Sequence, residues 1–367
     1  VKRERTVVAT AFKDYYDGEC ARILATYFDL GSADDFAAEV DATVGPLELK
    51  DRVLVLARGM KDRLPQHYPD ALDQILRHLK QELDDTDGMF NEGWQFMPVA
   101  RFVEEFGLDY PDESLEAIRA ITRMHTGEFA IRPYLEQHYD LAMSHVRRWS
   151  RSDNVHERRL SSEGIRPRLP WGRTLKRHVD DPQAVIDVIQ HLHSDPSPYV
   201  RKSVANNLND ISKDHPELAV RTARDWNNEW VTQHGLRTLI KAGDPGALEL
   251  VDMSANPHVT VDAVTLSPTG VPLDNTLTID VALTNSGDTP AKVVVDYIMQ
   301  FRGKNGAMRS KVFKLKTTTI EPQSQVTLTK RHAVKNTTTR TLYPGTQGCV
   351  VQVNGVRGDV LDWTIAP

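Results

Sequence analysis

The chain has 367 residues, of which 26% are charged and 40% hydrophobic, with a formal net charge of −6 at pH 7. That length exceeds one ordinary domain and suits two, each able to bury a core. No apolar run approaches the ~20 residues a membrane helix needs. Cys20 and Cys349 are the only cysteines and fall in different halves, so no structural disulfide is expected, and a reducing cytoplasm fits. The opening Val1-Lys-Arg-Glu-Arg-Thr has no apolar stretch behind its basic residues and is expected to be a trimmed start, not a secretory signal.

Up to about Met253 the hydrophobic spacing predicts helices. Leu72, Ile75, Leu76, Leu79 and Leu83 recur with a helical period, as do Leu115, Ile118, Ile121 and Met124. Breaks fall at Gly45-Pro46, Tyr110-Pro111 and Asp181-Pro182. The stretch 195–250 repeats itself: a helix from Tyr199 to Leu208 is answered by one from Trp230 to Leu239. Each is followed by a Pro-started helix, at His215-Pro216 and Asp244-Pro245. Helix pairs repeating every ~31–45 residues predict a HEAT-like solenoid, a fold that presents an extended binding surface.

After Ser254-Ala-Asn-Pro257 the pattern alternates. Strands are predicted at Val259–Leu266, Thr276–Leu283, Lys292–Phe301, Lys311–Lys316, Gln325–Arg331, Gly348–Val353 and Val360–Ile365, separated by turn signals such as Asn305-Gly306 and Asn354-Gly355. Seven short strands in ~110 residues suggest an immunoglobulin-type β-sandwich, without the inter-sheet disulfide of antibody domains. The expected division is therefore 1–255, an all-α repeat domain, and 256–367, an all-β sandwich.

Charge is unevenly spread. Residues 257–367 carry 12 Lys and Arg against 8 Asp and Glu, so +4, which leaves −10 on residues 1–256. Inside that acidic part, Arg147 to Arg177 holds ten basic residues opposed by Asp153, Glu157 and Glu163. A basic stripe on an acidic body can focus a polyanion onto one face; the plainer alternative is a solvated charge run. No metal-ligand spacing, P-loop, dinucleotide fingerprint or nucleophile elbow occurs, so neither a metal nor a nucleotide cofactor is expected. On a helix starting after Asp153, Arg159 and Glu163 share a face, Gly164 ends that helix, and Arg166-Pro-Arg-Leu-Pro170 leads extended into Trp171. These residues form either a surface ion pair with a core Trp, or a carboxylate, a guanidinium and an indole converging on one cleft.

The segment Arg158-Arg-Leu-Ser-Ser-Glu-Gly-Ile-Arg-Pro-Arg-Leu-Pro-Trp171 resembles the signature region of the AlkC branch of the HEAT-like-repeat DNA alkylation-repair glycosylases. Three further stretches are similar to that family: Gly127-Glu-Phe-Ala-Ile-Arg-Pro-Tyr134, Val200 to Asp210, and His234 to Pro245. The resemblance covers most of residues 1–255. The sandwich, with Tyr343-Pro-Gly and Val353-Asn-Gly355, resembles the immunoglobulin-like extension of some members. The resemblance implies hydrolysis of the N-glycosidic bond of cationic alkylated bases, such as 3-methyladenine and 3-methylcytosine, in duplex DNA, without flipping the lesion into a deep pocket. Its partner is alkylated double-stranded DNA, with no membrane and no cofactor, acting as a monomer.

The residues suit that task. A cationic base is an activated leaving group, so help is needed where positive charge develops on the deoxyribose. A carboxylate near the sugar stabilises that charge and positions a water. Glu128 and Glu163 are the candidates, with Asp210 a third, and which Glu is primary stays open. The face of Trp171 suits the sugar or the cationic lesion. Arg159 would orient Glu163 and touch a phosphate. Arg166 and Arg168 of the same segment are assigned to DNA. Arg201 and Lys202, on the first turn of their helix, offer a phosphate site. His234, Arg237 and Lys241, at i, i+3 and i+7, offer an equivalent face in the next repeat. Lys304, Arg309 and Lys311, near the Asn305-Gly306 turn, would let the sandwich clamp the duplex. The competing reading is a non-catalytic HEAT-repeat scaffold that binds DNA or an acidic protein. Glu163 inside the basic stripe argues against it, because a pure polyanion binder gains nothing from a carboxylate there.

Overall fold

The computed structural model describes residues 11–79, 82, 93–253, 258–337 and 340–366. Leu83, the opening Val1–Thr6 and the Ser254–Pro257 junction lie outside them. The chain divides into two compact units, Val1–Asp214 and His215–Pro367.

The first unit is helical: α1 (Gly18–Phe28), α2 (Ala33–Val44), α3 (Leu49–Arg63), α4 (Tyr68–His78), α5 (Met97–Phe106), α6 (Pro111–Ile121), α7 (Arg132–Gln137), α8 (Tyr139–Trp149), α9 (Val155–Glu163), α10 (Lys176–Asp180), α11 (Gln183–Ile189) and α12 (Pro198–Ile211). Local chemistry sets many of these boundaries. Asp17 and Asn154 each accept two backbone N–H groups at the starts of α1 and α9, which satisfies donors a helix start leaves orphaned. Pro sits in the first turn of α4, α5, α6, α7 and α12, where its missing N–H costs nothing. Helices pair as α1 on α2, α3 on α5, α4 on α6, α6 on α8 and α9 on α12. Each pair buries its apolar stripe, as at Leu115, Ile118 and Ile121 of α6, worth ~1.5–3 kcal/mol per fully buried side chain.

The second unit opens with α13 (Pro216–Trp226), α14 (Glu229–Gly235), α15 (Arg237–Ala242) and α16 (Pro245–Glu249). The helix expected from Trp230 to Leu239 is thus two, interrupted at Leu236 with φ −97° and ψ 11°. The strands follow: β1 (Val259–Ser267), β2 (Gly270–Val271), β3 (Asn275–Asn285), β4 (Ala291–Arg302), β5 (Met308–Ile320), β6 (Ser324–Val334), β7 (Gly345–Val353) and β8 (Val356–Ile365). They form two sheets, ordered β1-β3-β6 and β2-β8-β7-β4-β5. All seven predicted strands are present, joined by the two-residue β2. The fold class is helical repeats followed by an immunoglobulin-like sandwich.

Between the sheets lie Leu277, Ile279, Val281 and Leu283 of β3, every second residue, against Val293, Val295, Tyr297 and Met299 of β4. Strand β4 is also buried on its other face, at Val294, Asp296 and Ile298. The helices of the same unit account for this. Gln352 Nε2 on the neighbouring β7 donates to the Lys241 carbonyl at 2.8 Å, and Lys292 Nζ donates to the Val251 carbonyl at 3.1 Å. The approach is close: a Cβ on Gly355 would meet the Gly243 Cα at 2.1 Å, and both glycines have positive φ. Side chains are excluded there for two independent reasons. Cys20 and Cys349 are buried free thiols.

Candidate active site

A run of buried charges crosses the first unit from the loop after α6, through α9, to α12. That loop passes tightly over α6, where a Cβ on Gly127 would sit 2.6 Å from Ile118 Cγ2. It delivers Glu128, 3% exposed, to Arg159 on α9. Arg159 Nη1 lies 2.5 Å from Glu128 Oε2 and donates to Thr126 Oγ1 at 2.8 Å. Thr126 Oγ1 in turn donates to Glu128 Oε2 at 2.9 Å. Both bonds fall on Oε2; among the described residues nothing donates to Oε1.

One turn along α9, Glu163 is more heavily engaged. Arg166 Nη1 donates to its Oε1 at 2.7 Å, Arg159 Nη2 lies 3.7 Å from the same oxygen, and Ser203 Oγ donates to Oε2 at 2.6 Å. Arg166 continues the chain, donating from Nε to Asp210 Oδ2 at 2.8 Å, and Lys213 donates to Asp210 Oδ1 at 2.9 Å. Arg159 therefore shares its i,i+4 face with Glu163 as expected, but its shorter contact is to Glu128.

The two glutamates titrate in opposite directions. Burial pushes Glu128 above the usual carboxylate range; Arg159 opposes this, but the charge of Glu163 adds to it. Burial also raises Glu163, yet Arg159, Arg166 and the hydrogen bonds from Ser203 and Arg166 outweigh it and hold the carboxyl below its ordinary value. Glu163 is thus a fixed anion with both oxygens occupied, whereas Glu128 is the more basic carboxylate with one oxygen open.

Trp171 stands differently from the core residue the plainer reading allowed: it is 58% exposed. The lead into it is a series of turns, not extended chain: Gly172 N donates to the Leu169 carbonyl and Leu175 N to the Pro167 carbonyl. Trp171 itself has φ +62°, a left-handed conformation unfavourable for a bulky residue. Two cations hold the loop. Lys50 Nζ donates to the Trp171 carbonyl. The buried Arg132 donates to the carbonyls of Gly164 at 3.0 Å, Arg166 at 3.1 Å and Arg173 at 2.7 Å; burial lowers it to about 10. Trp171 and Thr126 line one cleft of about 120 Å³. Thr126 is where that cleft meets the charge chain.

Models of two families match the sequence: DNA alkylation repair enzyme over residues 125–234, and the C-terminal Ig-like domain of the uncharacterised protein YhaZ over residues 260–366. The uncharacterized protein YhaZ of Bacillus subtilis (strain 168) is 34% identical over 324 residues, covering 87% of this chain and 88% of that protein. The alkylpurine DNA glycosylase AlkC of Pseudomonas fluorescens, solved bound to DNA containing an abasic site analog, is similar throughout. Its TM-score is 0.89 at 30% identity, over 98% of this chain and 100% of that one. The chain belongs to the AlkC-type DNA alkylation repair family.

In this AlkC-type chain the structure brings Glu128, Arg159, Glu163, Arg166 and Asp210 into one network and puts Trp171 on the adjoining cleft. Arg166, expected on DNA, is 6% exposed between two carboxylates. Arg168 is half-exposed and pairs with Asp214 at 2.9 Å. Arg201 Nη1 donates to the Asp195 and Pro196 carbonyls, while Lys202 is exposed. In the second unit His234 stacks on Trp230 at 4.1 Å, and Arg237 Nη1 donates to the His234 carbonyl at 2.6 Å. The break at Leu236 keeps His234, Arg237 and Lys241 off one continuous helical face. Lys304, Arg309 and Lys311 are exposed around the β4–β5 turn. The basic stripe is largely neutralised: Arg158 pairs with Asp195, Arg173 with Glu136, Lys176 with Asp180 and Arg148 with Glu116. Sequence reading missed Thr126, Ser203, Lys50 and Arg132. Arg132 and Ser203 carried a signal, since they stand inside the Gly127–Tyr134 and Val200–Asp210 motifs.

No helix of the described residues is long and apolar enough to cross a membrane. Among them, no group of three or more His, Cys, Asp and Glu is arranged to hold a metal ion.

Proposed function

We propose that this chain is a DNA glycosylase that hydrolyses the N-glycosidic bond of cationic alkylated bases, 3-methyladenine and 3-methylcytosine among them, in duplex DNA. The observation that carries the reading is the pairing of two buried glutamates on one arginine, one locked as an anion and one with a free oxygen, beside a cleft rimmed by an exposed Trp. The name of the Pseudomonas fluorescens protein, an alkylpurine DNA glycosylase bound to DNA, supports it.

The chemistry follows from the charges. The C1′–N bond breaks with its electron pair leaving on the base, which a methylated ring accepts because it starts cationic. Positive charge then develops on the deoxyribose. Glu163, ionised and immobilised by Arg166 and Ser203, supplies fixed negative potential in a dry site, where such stabilisation needs no reorganisation. Glu128, with the higher proton affinity and the open Oε1, orients a water and takes its proton as the water adds to C1′. Arg159 positions both carboxylates; Asp210 acts on Glu163 through Arg166. Trp171 lays its indole face against the charged sugar or lesion, worth ~0.5–2 kcal/mol.

A cleft of about 120 Å³ is small for a nucleoside with its phosphate, which favours excision without flipping the lesion. Lys202, Arg201 and Arg237 are assigned to phosphates in successive repeats, and Lys304, Arg309 and Lys311 to a second hold on the duplex from the sandwich. The test is incubation of the full chain with methylated duplex DNA and chromatography of the released bases. Release of 3-methyladenine is expected; an enzyme-free background rate of release would overturn the assignment.

A further inference from the structure

The cleft beneath Trp171 has a floor that the hydrolysis does not use. His125 is 2% exposed and lines it, and among the described residues neither ring nitrogen has a hydrogen-bond partner. An imidazole buried with both nitrogens unsatisfied costs free energy that an apolar side chain of similar size would not. Burial, with Arg159 nearby, lowers its pKa to about 3. The ring is therefore neutral at physiological pH and offers one N–H donor and one acceptor. The lining is mixed: Val53, Met97, Ala100, Phe129 and Ala130 are apolar, while Lys50, Arg101, Arg132 and Arg173 bring positive charge and Glu104 a carboxylate. Glu104 is already held by Arg101 Nη1 at 2.7 Å, so the wall carries a compensated acceptor instead of a bare charge. The volume of about 120 Å³ compares with the ~150 Å³ of an apolar cavity that takes up benzene. One six-membered ring fits; a purine enters by its pyrimidine ring and leaves the other half under the exposed Trp171.

Resting on the glycosylase reading, we propose that this pocket receives the freed alkylated base, a flat neutral heteroaromatic ring, once its bond to the sugar is broken. The cation becomes neutral at that moment, because the bonding electron pair stays with the base. The carboxylates at Glu128 and Glu163 then lose their attraction for it, while a slot lined by apolar side chains, a neutral imidazole and the cations Lys50, Arg101, Arg132 and Arg173 suits the neutral product better than the charged lesion. Amino and ring-nitrogen edges of the base meet Glu104 and His125, which gives His125 the partner it lacks. Thr126, shared between the pocket and the Glu128–Arg159 pair, places the entrance next to the reacting bond. A base drawn into this slot cannot recombine with the sugar.

The experiment is equilibrium dialysis of free 3-methyladenine against the full-length protein, run beside base release from methylated duplex DNA. Saturable one-to-one uptake is expected, with free 3-methyladenine inhibiting release in the same concentration range. Ala100→Leu, which fills the slot, is expected to weaken uptake at least tenfold. His125→Leu is expected to weaken it about tenfold, in line with one lost buried hydrogen bond, with partial recovery in His125→Gln. Thermal melting by circular dichroism shows which variants fold, and Ala100→Leu decides if His125→Leu does not. Normal base release with no saturable uptake, or wild-type uptake by folded Ala100→Leu, overturns the pocket and leaves the glycosylase reading standing. Uptake without any base release overturns the glycosylase reading and the pocket's role as a product site with it.

Discussion

Replacing Glu128 by Gln removes one charge and almost no volume, so it isolates electrostatics from packing. Gln retains an oxygen able to accept from Thr126 and Arg159, which now sit 2.9 Å and 2.5 Å from Oε2. What disappears is the negative charge beside the sugar and the base that takes the water's proton. At an effective dielectric near ~20, a unit charge ~4–5 Å from a developing oxocarbenium ion contributes about 3–4 kcal/mol. At 1.36 kcal/mol per tenfold, that predicts a slowing of ~10²–10³-fold. Glu163 remains, 3.7 Å from Arg159 Nη2, and with Glu128 neutral Arg159 serves it alone, so residual release is expected instead of none. The assay is single-turnover release of 3-methyladenine at saturating protein, quantified by chromatography, with DNA affinity measured separately on uncleavable duplex. Affinity should change little. Release within threefold of wild type would refute the role of Glu128 and shift the chemistry to Glu163 alone.

The same pair predicts a pH signature. Glu128 works ionised and its carboxyl is raised by burial, so the acidic limb of the rate profile should lie above the ordinary carboxylate range of ~4.3 and vanish in Glu128→Gln. For stability the signs differ: the raised Glu128 contributes below its unfolded pKa and loses that contribution as pH rises through its folded value. The lowered Glu163 contributes above its unfolded pKa and loses it as pH falls through its folded value. Removing the bridging cation with Arg166→Ala leaves Glu163 and Asp210 facing each other in the core; breaking such a pair costs ~3–5 kcal/mol. Urea unfolding should report the lower end, since Arg159 and Lys213 remain, and a loss below ~1 kcal/mol would contradict it. Replacing Arg201, Lys202 and Arg237 together by Ala should shallow the log-affinity against log-salt slope by about 0.9 per lost phosphate contact; an unchanged slope moves these residues off the interface. The same measurement on Lys304, Arg309 and Lys311 tests the sandwich: a shallower slope supports a second hold on the duplex, and wild-type affinity at every salt concentration removes it.

Much of this protein is legible in its sequence because the signals are local. Helical spacing at Leu115, Ile118 and Ile121, caps at Asp17 and Asn154, and prolines in first turns specify helices through neighbours three or four residues away. Alternation along β3 and β4 specifies strands for the same reason, and Arg159 with Glu163 on one helical face follows from 3.6 residues per turn. The charge network is different in kind. Arg158 finds Asp195 37 residues on, Arg166 finds Asp210 44 residues on, and Arg168 finds Asp214 46 residues on. A count of +7 along the chain therefore misstates the surface, since most of the neutralising carboxylates arrive from distant positions in the sequence. Tertiary structure alone also decided that Arg159 pairs most closely with Glu128, that Glu163 is locked while Glu128 keeps an open oxygen, and that Trp171 stands exposed on a cleft lined by the buried His125. Each of these depends on distances across packed elements, and burial there sets the energy of every charge, a quantity that no spacing along the chain encodes.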